Sequence, residues 1–260
     1  MGHIHLGVLP SSASWRAVVA MLAEGEPSER VLQESSRAIE KELRSAANDT
    51  IFVETLVLLG AVPQAARSDD FGDALRRLDI PIRQNPGLID LASGLGRALD
   101  QRVAETGSRT DFGEICRRSL LATFTQCIGD RMPGLFDATP EDVRIAARTF
   151  SSSKEFARLS RGFFTRVLSE TIGTYLDRTL ALGVGIGNGF DNVVDRSRFD
   201  DAVGQYAMEA TRIIKEFAGG WYGKTVYTDG KITRASAARF GAVAFKKTVE
   251  EMQRKRTHHV

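Results

Sequence analysis

Apolar residues recur at three- and four-residue steps along almost the whole chain after about residue 14, the period of amphipathic helices rather than strands. One exception comes first: Ile4, Leu6 and Val8 alternate with His3, His5 and Gly7, which predicts a short N-terminal strand stopped at Pro10. Trp15, Val18, Val19 and Leu22 then mark one face of a short helix ending at Gly25, and Pro27 opens the next, carried by Val31, Leu32, Ile39 and Leu43. The stretch from Ile51 to Leu59 is apolar nearly all round, which predicts a buried helix closed by Pro63, with a strand as the competing reading. Ser68, Asp69 and Asp70 form a start signal for a helix through Leu78. Leu88, Leu91, Leu95 and Leu99 predict the next, and Phe112, Ile115, Leu120 and Phe124 one from Asp111 to Ile128.

The stretch from Gly129 to Gly134 reads as a boundary between two helical lobes, residues 1–134 and 135–260. Beyond it, Thr139-Pro140-Glu141-Asp142 places a capping hydroxyl, a proline and two acids as a first helical turn requires. Ser151 to Ser153 recap the chain, and the run from Phe156 to Leu180 predicts the longest helix and the centre of the core. It ends in the glycine run 183–189, and helix resumes near Ser197 and continues through Phe217. Gly219-Gly220-Trp221-Tyr222-Gly223 reads as a helix stop, and Asp229-Gly230 between Thr225 and Thr233 as a β-hairpin turn. A last helix from Arg234 aligns Ala238, Ala242, Phe245, Val249 and Met252. The expected fold is therefore mainly α: a multi-helix bundle in two packed lobes, with a short N-terminal strand and a small C-terminal β-hairpin.

Composition narrows the chemistry more than the architecture. The 260 residues, 42% of them hydrophobic, suffice for a core without staples, and 35 Lys and Arg against 33 Asp and Glu leave a charge of +2. That small total hides an asymmetry. Residues 231–260 hold eight Lys and Arg against two Glu, a local +6 that leaves −4 to the first 230 residues. The four histidines lie at positions 3, 5, 258 and 259, so a serine or cysteine hydrolase has no interior base to use, and a histidine metal site would require the two ends to meet. Cys116 and Cys127 are too far apart for a zinc knuckle or redox dithiol and read as reduced, mostly buried thiols. The opening residues lack a secretory signal, Leu6 stands where a myristoylation motif wants Ser or Thr, and the apolar stretch 163–182 carries four charges. The expectation is a cytoplasmic protein without membrane contact.

Three motifs invite chemistry and each has a plainer reading. The glycines at 183, 185, 187 and 189 miss the dinucleotide fingerprint, whose third glycine falls on Asn188 or Phe190, so a helix terminator or connection fits better than a ligand loop. Gly223-Lys224-Thr225 resembles the end of a phosphate-binding loop, but Ala218 occupies the first glycine position. Asp229-Gly230-Lys231 matches half of a metal-dependent nuclease site, yet Asp-Gly is also what a tight turn selects. No catalytic residue, cofactor or metal ligand is assigned. The basic C-terminal segment is a candidate nucleic-acid surface, with Arg239, Lys246, Lys247, Arg254, Lys255 and Arg256 on phosphates, against the plainer reading of a core-facing helix with a solvated basic face, while Trp221 and Tyr222 either pack, the favoured reading, or are protein-contact residues.

Leu6-Gly7-Val8-Leu9-Pro10 through Trp15-Arg16-Ala17-Val18-Val19, with Phe163-Phe164 and Glu216-Phe217-Ala218-Gly219-Gly220-Trp221-Tyr222, resembles uncharacterised bacterial helical proteins of anti-phage defence cassettes, in particular the accessory B component of the four-gene Qat system. The resemblance covers the general layout of most of the chain. It implies an accessory or adaptor role beside other proteins of the same system and carries no catalytic residues with it. The leading expectation is thus a non-enzymatic interaction component; a nucleic-acid-binding protein is the alternative, and a metal-dependent nuclease using Asp229 and Lys231 the next.

Overall fold

In a computed structural model of the chain, residues 17–18, 20–21, 24, 26–134, 138–182 and 193–258 are described. Their regular structure is helical, with no strand among them. In chain order the helices are α1 (Ser28–Ala46), α2 (Thr50–Ala65), α3 (Phe71–Arg76), α4 (Leu88–Thr106), α5 (Asp111–Gly129), α6 (Pro140–Thr149), α7 (Ser153–Leu182), α8 (Val193–Ala210), α9 (Ile214–Asp229) and α10 (Arg234–His258). The expected strand at 4–8, the glycine run 183–189 and His3, His5 and His259 lie outside the described residues.

The β-hairpin does not form. Helix α9 continues to Asp229, and Gly230, at φ 68°, stops it as a left-handed cap whose N–H bonds the Val226 carbonyl. A tight hairpin turn and a helix C-terminus both demand positive φ next to a residue such as Asp, so the dipeptide signals either. The stop expected at Gly219-Gly220 is absent for a different reason. A side chain at Gly219 would meet the Ser153 carbonyl at 2.6 Å and one at Gly223 the Ser153 hydroxyl at 2.7 Å. These glycines are spaced four apart because α9 lies directly against the start of α7, not because the chain turns. Pro63 likewise sits inside the last turn of α2, which runs on to Ala65.

Helix α7 packs against α9, α5 and α8, while α2 packs against α5, α10, α4 and α6. Residues from both sides of 129–134 join one hydrophobic cluster. At its centre Phe52 of α2 stacks on Phe245 of α10 at 4.8 Å and meets Phe112 of α5 and Phe164 of α7 at 5.7 and 6.1 Å. A second aromatic group, Phe156, Trp221, Tyr222, Phe240 and Phe217, joins α7, α9 and α10. In the last helix Phe245, Val249 and Met252 are buried as their spacing predicts, but Ala242 faces solvent and the inner stripe runs instead through Ala237, Phe240 and Ala244.

Helix starts are where the local signals read most directly. Thr139 and Asp142 bond each other's backbone N–H at the start of α6. Two further starts are joined: Asp49 caps α2 by accepting from the Phe52 N–H at 2.8 Å and also accepts the hydroxyl of Thr110, which itself caps α5 through the Gly113 N–H. Asp49→Ala removes one cap and the link to the other, so its urea midpoint should fall by an amount corresponding to about 1–2 kcal/mol. The last helix is anchored at its first residue, where Arg234 pairs at 2.7 Å with Glu54, a carboxylate only 12% exposed.

Candidate interaction surface

The two candidate aromatics have different fates. Tyr222 is buried: its ring lies 3.9 Å from that of Phe156, nearly parallel, and its hydroxyl accepts from Gln64 at 2.6 Å. It has no surface to offer a partner. Trp221 is half-buried, one face of its indole stacked on Phe240 at 4.1 Å and the Phe156 ring tilted against it at 6.0 Å. Burial pushes the Tyr222 phenol up from its ordinary 10.0 to about 12, with Gln64 and Arg67 opposing it. A folded state that holds this proton longer than the unfolded chain is fully stabilised below pH 10 and loses that contribution as pH rises toward 12. Tyr222→Phe should therefore show less alkaline loss of stability than the wild type over that window, at a cost of about 1 kcal/mol near neutral pH.

The six basic residues also separate. Arg254 pairs with Glu251 at 2.6 Å, and Lys255 pairs with Glu209 while lying 5.9 Å over the Tyr206 ring. Lys247 is half-buried, its ammonium 5.8 Å over the Phe217 ring. Arg239 and Lys246 point into solvent and have no ion-pair partner among the described residues. The side chain of Arg256 lies outside the described residues. A continuous basic stripe along α10 is thus reduced to a patch in its first half.

That patch borders the seam where α9 and α10 meet through Trp221, Phe217 and Phe240. Phe240 and Lys247 both contact the Phe217 ring, and Val243 lies between them at helical spacing, 43% exposed. The apolar residues along the seam are the half-buried Phe217 and Trp221 and the exposed Val243. Cations rim it: Lys224, seven residues after Phe217 on the same face, and Arg239, Lys246 and Lys247 across from it. Glu250 is the acid on this stripe of α10. Phe217, Lys224 and Val243 were not among the expected site residues. Their signal was available in the 217, 221, 224 and 240, 243, 247 spacings, but becomes meaningful only once the two helices are known to pair.

Elsewhere the ionisable groups serve the fold. A cleft of 390 Å³ between α4 and α5 is lined by Asp100, Arg109, Thr110, Glu114 and Arg117, but Arg117 is held by Asp100 at 3.0 Å and Glu114 at 3.6 Å. Burial pushes the Cys116 thiol well up and raises that of Cys127, so neither is poised as a thiolate. Asp229 and Lys231 flank a helix cap rather than a hairpin, without the sheet a nuclease motif needs. Among the described residues no group of three or more His, Cys, Asp or Glu is placed to hold a metal ion, and no helix is long and apolar enough to cross a membrane. No family model, curated protein or solved structure matches the chain.

Proposed function

We propose that this protein is a non-enzymatic docking component of a bacterial multiprotein system, with anti-phage defence as the setting its sequence resemblance suggests. The observation that carries the reading is the α9–α10 seam. Val243 is 43% exposed beside the half-buried Phe217 and Trp221, and Arg239 and Lys246 next to it have no ion-pair partner among the described residues, while other charges of α10 pair with Glu54, Glu209 and Glu251. Such a surface, with an apolar centre and a charged rim, is how protein interfaces are built. The partners are other proteins of the same system.

Affinity purification of the tagged protein from its native cells tests this. A partner should copurify with the wild type and be lost with Val243→Glu, an exposed substitution that spares the core. A solitary wild-type protein, or a partner retained by the variant, contradicts the reading. Nucleic-acid binding is the second reading, supported by the outward Arg239 and Lys246; it requires binding that falls steeply with salt.

A further inference from the structure

We infer that the cleft between α4 and α5 is a binding site for a free α-amino acid with a large apolar side chain. The inference is independent of the docking surface, whose residues lie on other helices. At 390 Å³ the cleft falls within the size range of small-molecule sites, and its apolar lining is Val103 and Ala104 of α4 with the buried Ile51 of α2. Its charged residues divide into those already committed and those that are not. Asp100 takes Arg117 in a two-point pair, Nε to Oδ1 at 3.0 Å and Nη2 to Oδ2 at 3.1 Å, so these two neutralise each other. Arg109 is exposed, and its guanidinium has no ion pair or hydrogen bond among the described residues. Glu114 reaches Arg117 only at 3.6 Å, too long for a hydrogen bond, and its side chain is 48% exposed. Arg109 and Glu114 therefore line one cavity with opposite charges and do not pair with each other.

A zwitterion answers both charges at once. An α-amino acid carries its carboxylate and ammonium on one carbon, and with a hydrogen bond of about 2.8 Å at each end it bridges groups about 8 Å apart. The carboxylate goes to the planar fork of Arg109, the ammonium to the oxygens of Glu114, and the side chain onto Val103 and Ala104. A simple carboxylic acid leaves Glu114 covered without a counter-charge, and a simple amine does the same to Arg109, so each loses affinity through desolvation. A polypeptide terminus carries only one of the two charges, which is why the free amino acid is selected.

The test is a ligand-observed NMR titration of the full chain with three probes: phenylalanine, 3-phenylpropionate, which lacks its ammonium, and 2-phenylethylamine, which lacks its carboxylate. Phenylalanine should bind saturably and about tenfold more tightly than either of the others. Arg109→Gln should weaken phenylalanine and phenylpropionate by about tenfold and leave phenylethylamine unchanged. Glu114→Gln should weaken phenylalanine and phenylethylamine and leave phenylpropionate unchanged. Both positions are exposed, and an unchanged circular dichroism spectrum confirms that each variant folds. This crossed pattern separates contact with the ligand from a general disturbance of the cleft, which would weaken all three probes alike. No saturable binding of phenylalanine, equal affinity for the three probes, or variants that affect them alike or not at all each overturns the inference.

Discussion

Replacing Phe52 with alanine should lower the stability of this protein by about 3–5 kcal/mol, measured as a shift of the urea midpoint at constant slope. Phe52 is fully buried, and its ring contacts Phe112, Phe164 and Phe245, so four helices meet on one side chain. The loss has two parts: the transfer free energy of the ring and the cavity left among neighbours that relax only partly. Edge-to-face and stacked pairs add to it beyond buried area. Because Phe52 joins segments from both sides of 129–134, unfolding should remain one transition in the variant. Two separated transitions would show that the halves hold independent cores.

Overfilling the same crossing should be nearly as damaging. Gly241 of α10 faces α2 so closely that a Cβ would stand 2.6 Å from Phe52 Cε1 and 2.8 Å from Leu56 Cδ1. Replacing glycine inside a helix gains at most about 1 kcal/mol of propensity. A rigid branched side chain in that space forces α10 away from α2 at a cost of about 1–3 kcal/mol or more. Gly241→Val is therefore expected to be net destabilising despite its better helix propensity. The two changes should also be non-additive. In the double variant the valine enters the space the ring vacated, so the combined loss should be smaller than the sum, by about 1 kcal/mol or more. Simple additivity would mean that the two side chains do not share that space.

These positions show what was legible in the sequence. Phe245, Val249 and Met252 keep the helical spacing that assigned them to the core, and Thr139-Pro140-Glu141-Asp142 forms the start its residue types predict, because caps and apolar periods are local properties. The errors fall where one local signal has two uses. Glycines at 219 and 223 mean either a stop or close approach of another helix, and only the position of Ser153 decides between them. Asp229-Gly230 specifies positive φ, which a hairpin and a helix cap share. Ala238 and Ala242 suggested an inner stripe, but alanine has too little apolar surface to fix the rotation of a helix that Phe240 and Phe245 dominate. The proposed interaction surface was half legible. The basic residues were evident, but which were free depended on Glu209 and Glu251, and how much of Trp221 is covered depended on Phe240, which stacks on it.

The docking surface is tested most directly by placing a photocrosslinking amino acid at position 243 in native cells, with position 97 on α4 as an exposed control. A discrete covalent adduct with a second protein at 243 and none at 97 is the expected result. No adduct at 243, or the same adducts at both positions, would contradict the assignment of the α9–α10 seam as the binding face.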